Sequence, residues 1–239
     1  MPVPRILAAS TGFTTDARGD WTPSPLVRAA IDLTPHPARA RMAYLGTARG
    51  DRIQDAALVY GAFADTDVRV KVVTLLPQPN VSDLRETLLS QDVIYVGGGS
   101  VAGLLALWRL HGLDGILREA WESGIVLTGA SAGSLCWHTG GPTDSFGPEL
   151  RVITDGLGFL PFGNGVHYDS EPVRRPLLQS AVASGQLPLS FATDNGAALL
   201  YEGTELADVL ADSDGPTGYR VERIDGVAVE TRLAARVLA

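Results

Sequence analysis

The chain is poor in several residue types, and each shortage excludes something. It has one cysteine, Cys136, in 239 residues. That rules out an internal disulfide and any site built from several thiolates. Only four histidines are present, so any imidazole chemistry must come from His36, His111, His138 or His167. Lysine is reduced to Lys71 among 19 basic residues, which we read as codon bias toward arginine. No apolar run approaches the length of a membrane span. The N-terminus, Met1-Pro2-Val3-Pro4, has no secretory pattern. A net charge of −8 argues against nucleic acid and gives no steering toward anionic lipid. These shortages lead us to expect a cytoplasmic protein with no nucleic-acid or membrane partner.

What is present is a core-forming α/β pattern, with 45% apolar residues. Strand-like runs at 5–9, 41–45, 68–76, 92–96 and 124–128 alternate with helical segments at 25–33, 51–64, 82–89, 101–110 and 113–122. Ser24 and Pro25 read as N-cap and first position of a helix. Such alternation implies parallel βαβ units, with ligands outside the carboxyl ends of the strands. Residues 139–170 are rich in Gly, Pro and Asp and lack helical periodicity. A helix is expected at 174–183 and strands at 189–193, 197–201, 219–224 and 227–231, the last pair joined as a hairpin at Asp225-Gly226. No linker or repeat interrupts the chain, so residues 1–239 are expected to form a single domain.

Gly129-Ala130-Ser131-Ala132-Gly133 follows the apolar run ending at Thr128. A serine at the apex of a sharp strand-to-helix turn points its hydroxyl away from the sheet, and small neighbours let the turn close. The next N–H, on Ala132, opens a helix and can face a developing oxyanion. Gly97-Gly98-Gly99 also ends a strand. It lacks the third glycine of a dinucleotide loop, because Ala102 stands there. It suits a second oxyanion donor better, from Gly98 or Gly99.

A serine nucleophile needs a base, and the base an orienting acceptor. His36 lies between two prolines, and His111 reads as a helix-end residue. His138 lies seven residues past Ser131, about 10 Å further along a helix. His167, in a glycine-flanked loop, is the preferred base. For the acceptor, Asp194 beside Asn195-Gly196 and Asp144 in Gly141-Pro142-Thr143-Asp144 both stay open, with Asp194 first. Arg174 and Arg175 are candidate carboxylate clamps. Cys136 reads as a buried helix thiol.

Tyr95-Val96-Gly97-Gly98-Gly99-Ser100, Gly129 to Ser134, His167 and Thr193-Asp194-Asn195-Gly196-Ala197, taken in order, resemble peptidase family S51, which holds peptidase E (aspartyl dipeptidase) and cyanophycinase. The resemblance spans roughly residues 5–205. It implies a class I glutamine-amidotransferase-like, flavodoxin-like α/β fold: a parallel sheet in a three-layer sandwich, here with a C-terminal β-hairpin. It also implies metal-free and cofactor-free hydrolysis of Asp-Xaa dipeptides, with Ser131 as nucleophile and His167 as base. In that resemblance Asp144 matches the acid of peptidase E. Asp194 begins an Asp-Glu pair whose glutamate position is Asn195 here. Arg174 or Arg175 is nearest to the arginine that reads the substrate carboxylate. Two departures stand out: Ser100-Val101 replaces Asn-Thr, and Asp169 replaces a neutral residue. A small peptide is therefore the expected partner, and a homodimer is left open. The competing readings are an α/β-hydrolase-type esterase and a non-catalytic binding module. The esterase would call for a histidine nearer the C-terminus.

Overall fold

The computed structural model describes residues 2–238. Its first half follows the alternating pattern. Strand β1 (Arg5–Ala9) leads into a small hairpin, β2 (Phe13–Thr15) and β3 (Trp21–Pro23), and then helix α1 (Pro25–Asp32). Ser24 caps α1, its Oγ accepting from the Val27 N–H at 3.3 Å. Pro25 takes the first position, where a missing N–H costs nothing. Strand β4 (Arg41–Leu45), α2 (Ile53–Ala62), β5 (Arg69–Val73), α3 (Leu84–Leu89), β6 (Val93–Val96), α4 (Val101–His111), α5 (Leu113–Glu122) and β7 (Val126–Ala130) follow. The cap of α3 is Asp83, whose carboxylate accepts from the Glu86 N–H.

The second half is built from short pieces. Helix α6 (Ala132–Leu135) follows β7 directly, and strands β8 (Gly141–Thr143), β9 (Arg151–Ile153) and β10 (Gly163–Gly165) occupy the Gly- and Pro-rich stretch. Then come α7 (Arg174–Ser184), β11 (Ser190–Thr193), β12 (Ala197–Glu202), β13 (Glu205–Ala211), β14 (Gly218–Ile224), β15 (Val227–Leu233) and β16 (Arg236–Val237). The β14–β15 hairpin turns at Asp225-Gly226, both with positive φ, 49° and 82°. That is the backbone a two-residue turn between twisted strands requires.

Eight strands form the central sheet in the order β16-β13-β12-β1-β7-β6-β4-β5. The five from β1 to β5 in that order are mutually parallel, and β12 runs antiparallel against β1. Alternate residues of one strand go to opposite faces. Ile6 and Ala8 join the core beneath α4 and α5, which contribute Leu104, Trp108 and Leu117. Leu7 and Ala9 pack with Leu26 and Ala30 of α1. Val59 of α2 joins Met42 and Tyr44 on that second face. Helices thus cover both faces of a mostly parallel sheet, giving a three-layer α/β sandwich. A second sheet, β10-β11-β14-β15, is packed with α7 around Leu178, Val182 and Val221. It carries the loop between β10 and α7 to the carboxyl ends of β7 and β1. No helix among the described residues is long and apolar enough to cross a membrane.

Candidate active site

Ser131 leaves β7 with φ 56° and ψ −110°. A serine adopts this positive-φ backbone only when its surroundings hold it there. Its N–H donates to the Ala9 carbonyl at 3.0 Å, which ties the turn to β1. Gly133 permits the turn: a Cβ there would fall 2.2 Å from the Val96 carbonyl oxygen, so a side chain would drive α6 off β6. Helix α6 is a single turn and ends at Leu135, short of the His138 that the sequence placed on it.

His167 follows β10 and also has a positive φ, 55°. Its backbone N–H donates to Ser10 Oγ at 3.0 Å, and Ser10 Oγ lies 2.7 Å from Thr193 Oγ1. The buried serine after β1 thus joins the histidine loop to the end of β11. The imidazole Nε2 lies 3.0 Å from Ser131 Oγ, and Nδ1 lies 2.6 Å from Asn195 Oδ1. An amide oxygen only accepts, so Nδ1 carries the proton and Nε2 is left to accept from the serine. Asn195 is held in turn: its N–H donates to Asp169 Oδ1 and its Nδ2 to Ser170 Oγ, both at 2.9 Å. Ser131, His167 and Asn195 form one hydrogen-bonded line.

Neither aspartate expected beside the imidazole is there. Asp194, one residue before Asn195, turns the other way. Its Oδ2 accepts from the Thr217 N–H and the Tyr219 hydroxyl, and its Oδ1 is buried with no hydrogen-bond partner. Burial raises its pKa, with Asp169 adding a like charge, although the Thr217 N–H works against this. Asp194 ties the β11–β12 turn to β14. Asp144 sits on the cleft rim with its side chain 61% exposed, 3.8 Å from Arg174. The two arginines also separate. Arg174 is buried in the cleft wall, with Nη1 on the Pro142 carbonyl at 2.9 Å and Nε paired with Glu171. Arg175, about 100° round the helix, pairs with Glu230 and lies over the rings of Tyr168 and Tyr219 at 5.2 and 5.0 Å. It is absent from the residues lining the cleft.

The N–H groups of Gly98, Gly99 and Ala132 make no hydrogen bond within the described residues; Gly98 packs against the serine, Ala132 follows it, and Gly99 lines the same cleft. A Cβ on Gly98 would stand 3.2 Å from Ser131 Cβ, so a side chain there would press on the serine. The cleft over these groups has a volume of about 350 Å³ and is lined by Gly99, Ser131, Asp144, His167, Glu171 and Arg174. The remaining histidine near the serine in sequence, His138, is buried elsewhere, with Nδ1 on the Ser134 carbonyl at 2.9 Å and Nε2 3.3 Å from the Tyr201 hydroxyl. Cys136 is buried as expected, but it caps α6 at its C-terminal end and does not lie within the helix; burial pushes its thiol pKa well up, which makes it inert. The sequence does not single out Ser10, and it marks Asn195 only through the resemblance. The glutamate position of the family pattern, which falls on Asn195, was the signal that could have found the latter.

A three-layer α/β protein with this line of groups at the carboxyl edge of its sheet belongs among the peptidases of this architecture. The chain is a member of peptidase family S51, whose model matches residues 20–209. It is 38% identical over 198 residues to the uncharacterized peptidase YgaJ of Bacillus subtilis (strain 168), covering 83% of this chain and 85% of that one. It is 32% identical over 147 residues to peptidase E of Streptomyces coelicolor, covering 57% of this chain and 55% of that one. The solved structure of a peptidase from an acI-B1 Actinobacterium shares the fold, with a TM-score of 0.68, 17% identity and coverage of 98% and 95%.

Proposed function

We propose that this S51 peptidase is a serine dipeptidase, working through an acyl-enzyme on Ser131. The observation that carries the reading is the line from Ser131 Oγ through both nitrogens of His167 to Asn195 Oδ1, at 3.0 and 2.6 Å. Ser131 Oγ attacks the peptide carbonyl and His167 Nε2 takes its proton. The tetrahedral oxyanion receives the Ala132 N–H and a second N–H from Gly98 or Gly99. His167 then protonates the leaving amine, and the same nitrogen activates the water that releases the acyl group. Asn195 holds the tautomer and the ring plane, a role an amide performs in Cys-His-Asn enzymes. No step calls for a metal or a cofactor.

The cleft wall carries Glu171 and Asp144 around a single cation, Arg174, so a substrate ammonium group meets net negative charge there. This favours a free N-terminus in the cleft. A second reading, preference for N-terminal Asp, is favoured by the placement of Arg174 on that wall. Against it stands the pairing of Arg174 with Glu171 and Asp144, which spends the charge an aspartyl side chain would need. Purified enzyme incubated with Asp-Ala, Ala-Ala and Leu-Ala, with free amino acids quantified, tests both readings. No release from any of them, or equal release by the Ser131→Ala variant, overturns the dipeptidase. An Asp-Ala kcat/KM tenfold above the others selects the aspartyl form.

A further inference from the structure

A second cavity, of about 530 Å³, opens beside the Gly97–Gly99 backbone and shares Gly99 with the cleft. Four aromatic rings contribute to its walls, beside Ser10, Thr11 and Thr15. Phe13 stacks on Trp21 with centroids 5.2 Å apart and meets the edge of Tyr95 at 5.1 Å, and Tyr95 stacks on Tyr44 at 5.9 Å. Phe13 and Trp21 come from the β2–β3 hairpin, Tyr44 and Tyr95 from the ends of β4 and β6. One charged residue lines the cavity, Arg49. Its Nε pairs with the buried Asp55 at 3.2 Å, while its Nη groups have no partner among the described residues. The side chain is 39% exposed and its Cγ is close against Gly99.

We propose that this cavity is the subsite for the C-terminal, leaving residue of the peptide, and that it selects an aromatic side chain whose free α-carboxylate faces Arg49. The proposal rests on the dipeptidase reading above and gives it a substrate class. Polarity sets the direction of the peptide: net negative charge lines the cleft that holds Ser131, and Arg49 lines the cavity that adjoins it at Gly99. A zwitterionic dipeptide laid across the serine therefore meets complementary charge at both ends. Phe13 and Trp21, the two half-buried rings, supply the apolar contacts that discriminate an aromatic side chain from a methyl group. Planar guanidinium geometry suits a carboxylate better than an amide.

The test uses the full-length Ser131→Ala protein, which binds without turnover, in calorimetric titrations with Ala-Phe, Phe-Ala, Ala-Ala and Ala-Phe amide. Ala-Phe is expected to bind about tenfold tighter than Ala-Ala and Phe-Ala, and the amide about tenfold weaker than Ala-Phe. Arg49→Gln should erase the difference between Ala-Phe and its amide. Trp21→Leu, on an exposed hairpin, should erase the difference between Ala-Phe and Ala-Ala. Affinities for Ala-Phe and Ala-Ala within twofold of each other overturn the subsite, as does indifference to the amide. The wild-type enzyme separates the two readings. If it cleaves Ala-Ala and Ala-Phe equally and the titrations show no selectivity, the subsite falls and the peptidase stands. Selective binding of Ala-Phe with no hydrolysis of any dipeptide overturns the dipeptidase and leaves the subsite.

Discussion

The Nδ1 proton of His167 is donated to an amide oxygen, Asn195 Oδ1, at 2.6 Å. A neutral acceptor fixes the tautomer, as a carboxylate would, but it contributes no full charge to stabilise the imidazolium that forms during acyl transfer. The consequence is a base held in a fixed orientation by its hydrogen bonds alone. Asn195→Ala should lower kcat by about 10- to 100-fold with KM nearly unchanged, because orientation is lost in the transition state more than in the bound state. Asn195→Asp should move the acidic limb of the kcat/KM profile up by about 1 pH unit, since a neighbouring carboxylate favours the charged ring. Initial rates from pH 5 to 9 check both. An unmoved limb in the aspartate variant would mean that residue 195 does not face the base.

Why the acceptor was not legible in the sequence, although the base was, follows from how a strand end distributes its side chains. Thr193, Asp194 and Asn195 are consecutive, yet Thr193 faces Ser10, Asp194 faces Thr217 and Tyr219, and Asn195 faces His167. A carboxylate is the stronger acceptor by type, so chemistry alone pointed one residue short. The same displacement separates Arg174 from Arg175 on a helix. The parallel strands and their helices were legible because each carries period-2 or period-3.6 burial over several residues, as Ile6 and Ala8 against Leu7 and Ala9 illustrate. The β2–β3 hairpin and strands β8 to β10 are only three residues each, too short for a period to register.

Ser131→Ala and His167→Ala should each reduce kcat by about a thousandfold or more, and combining them should cost little beyond the larger single loss, because the two groups act as one unit. Steady-state hydrolysis of a dipeptide by the two single variants and the double variant reads this directly. A double variant whose loss is the product of the singles would show that the groups act independently.

Gly98→Ala should reduce kcat at least about tenfold while the fold persists. The added Cβ meets Ser131 Cβ at 3.2 Å and the Ala130 carbonyl oxygen at 3.3 Å. Strain is therefore delivered to the serine and the adjacent N–H rather than to a core cluster. Thermal unfolding alongside the kinetics separates the effects. Wild-type kcat in a folded variant would remove Gly98 from the oxyanion contacts.

Arg175→Ala should leave kcat/KM for Asp-Ala and Ala-Ala within twofold of wild type, since its guanidinium is spent on Glu230 and two tyrosine rings. Its effect belongs to stability, about 1 kcal/mol from the cation–π contacts. A selective rise in KM for Asp-Ala would return Arg175 to the substrate site.

Burial pushes the His138 imidazole down to about 4, against an ordinary value of 6.5. Both ring nitrogens are already engaged while the ring is neutral: Nδ1–H donates to Ser134, and Nε2 accepts from the Tyr201 hydroxyl. Between pH 6.5 and 4 the unfolded chain therefore binds a proton that the folded protein refuses. Stability supplied by neutral His138 is complete above the ordinary value and is lost as the pH falls toward the folded one, by about 3 kcal/mol over that window. Asp51 and Asp194, both raised by burial, act in the opposite sense near the acid end, because the folded protein takes up their protons first. Comparison with a His138→Asn variant isolates the histidine. Urea unfolding at pH 7.0, 5.5 and 4.5 should show the wild type losing stability faster than the variant, and parallel losses would mean that His138 is not held neutral in the fold.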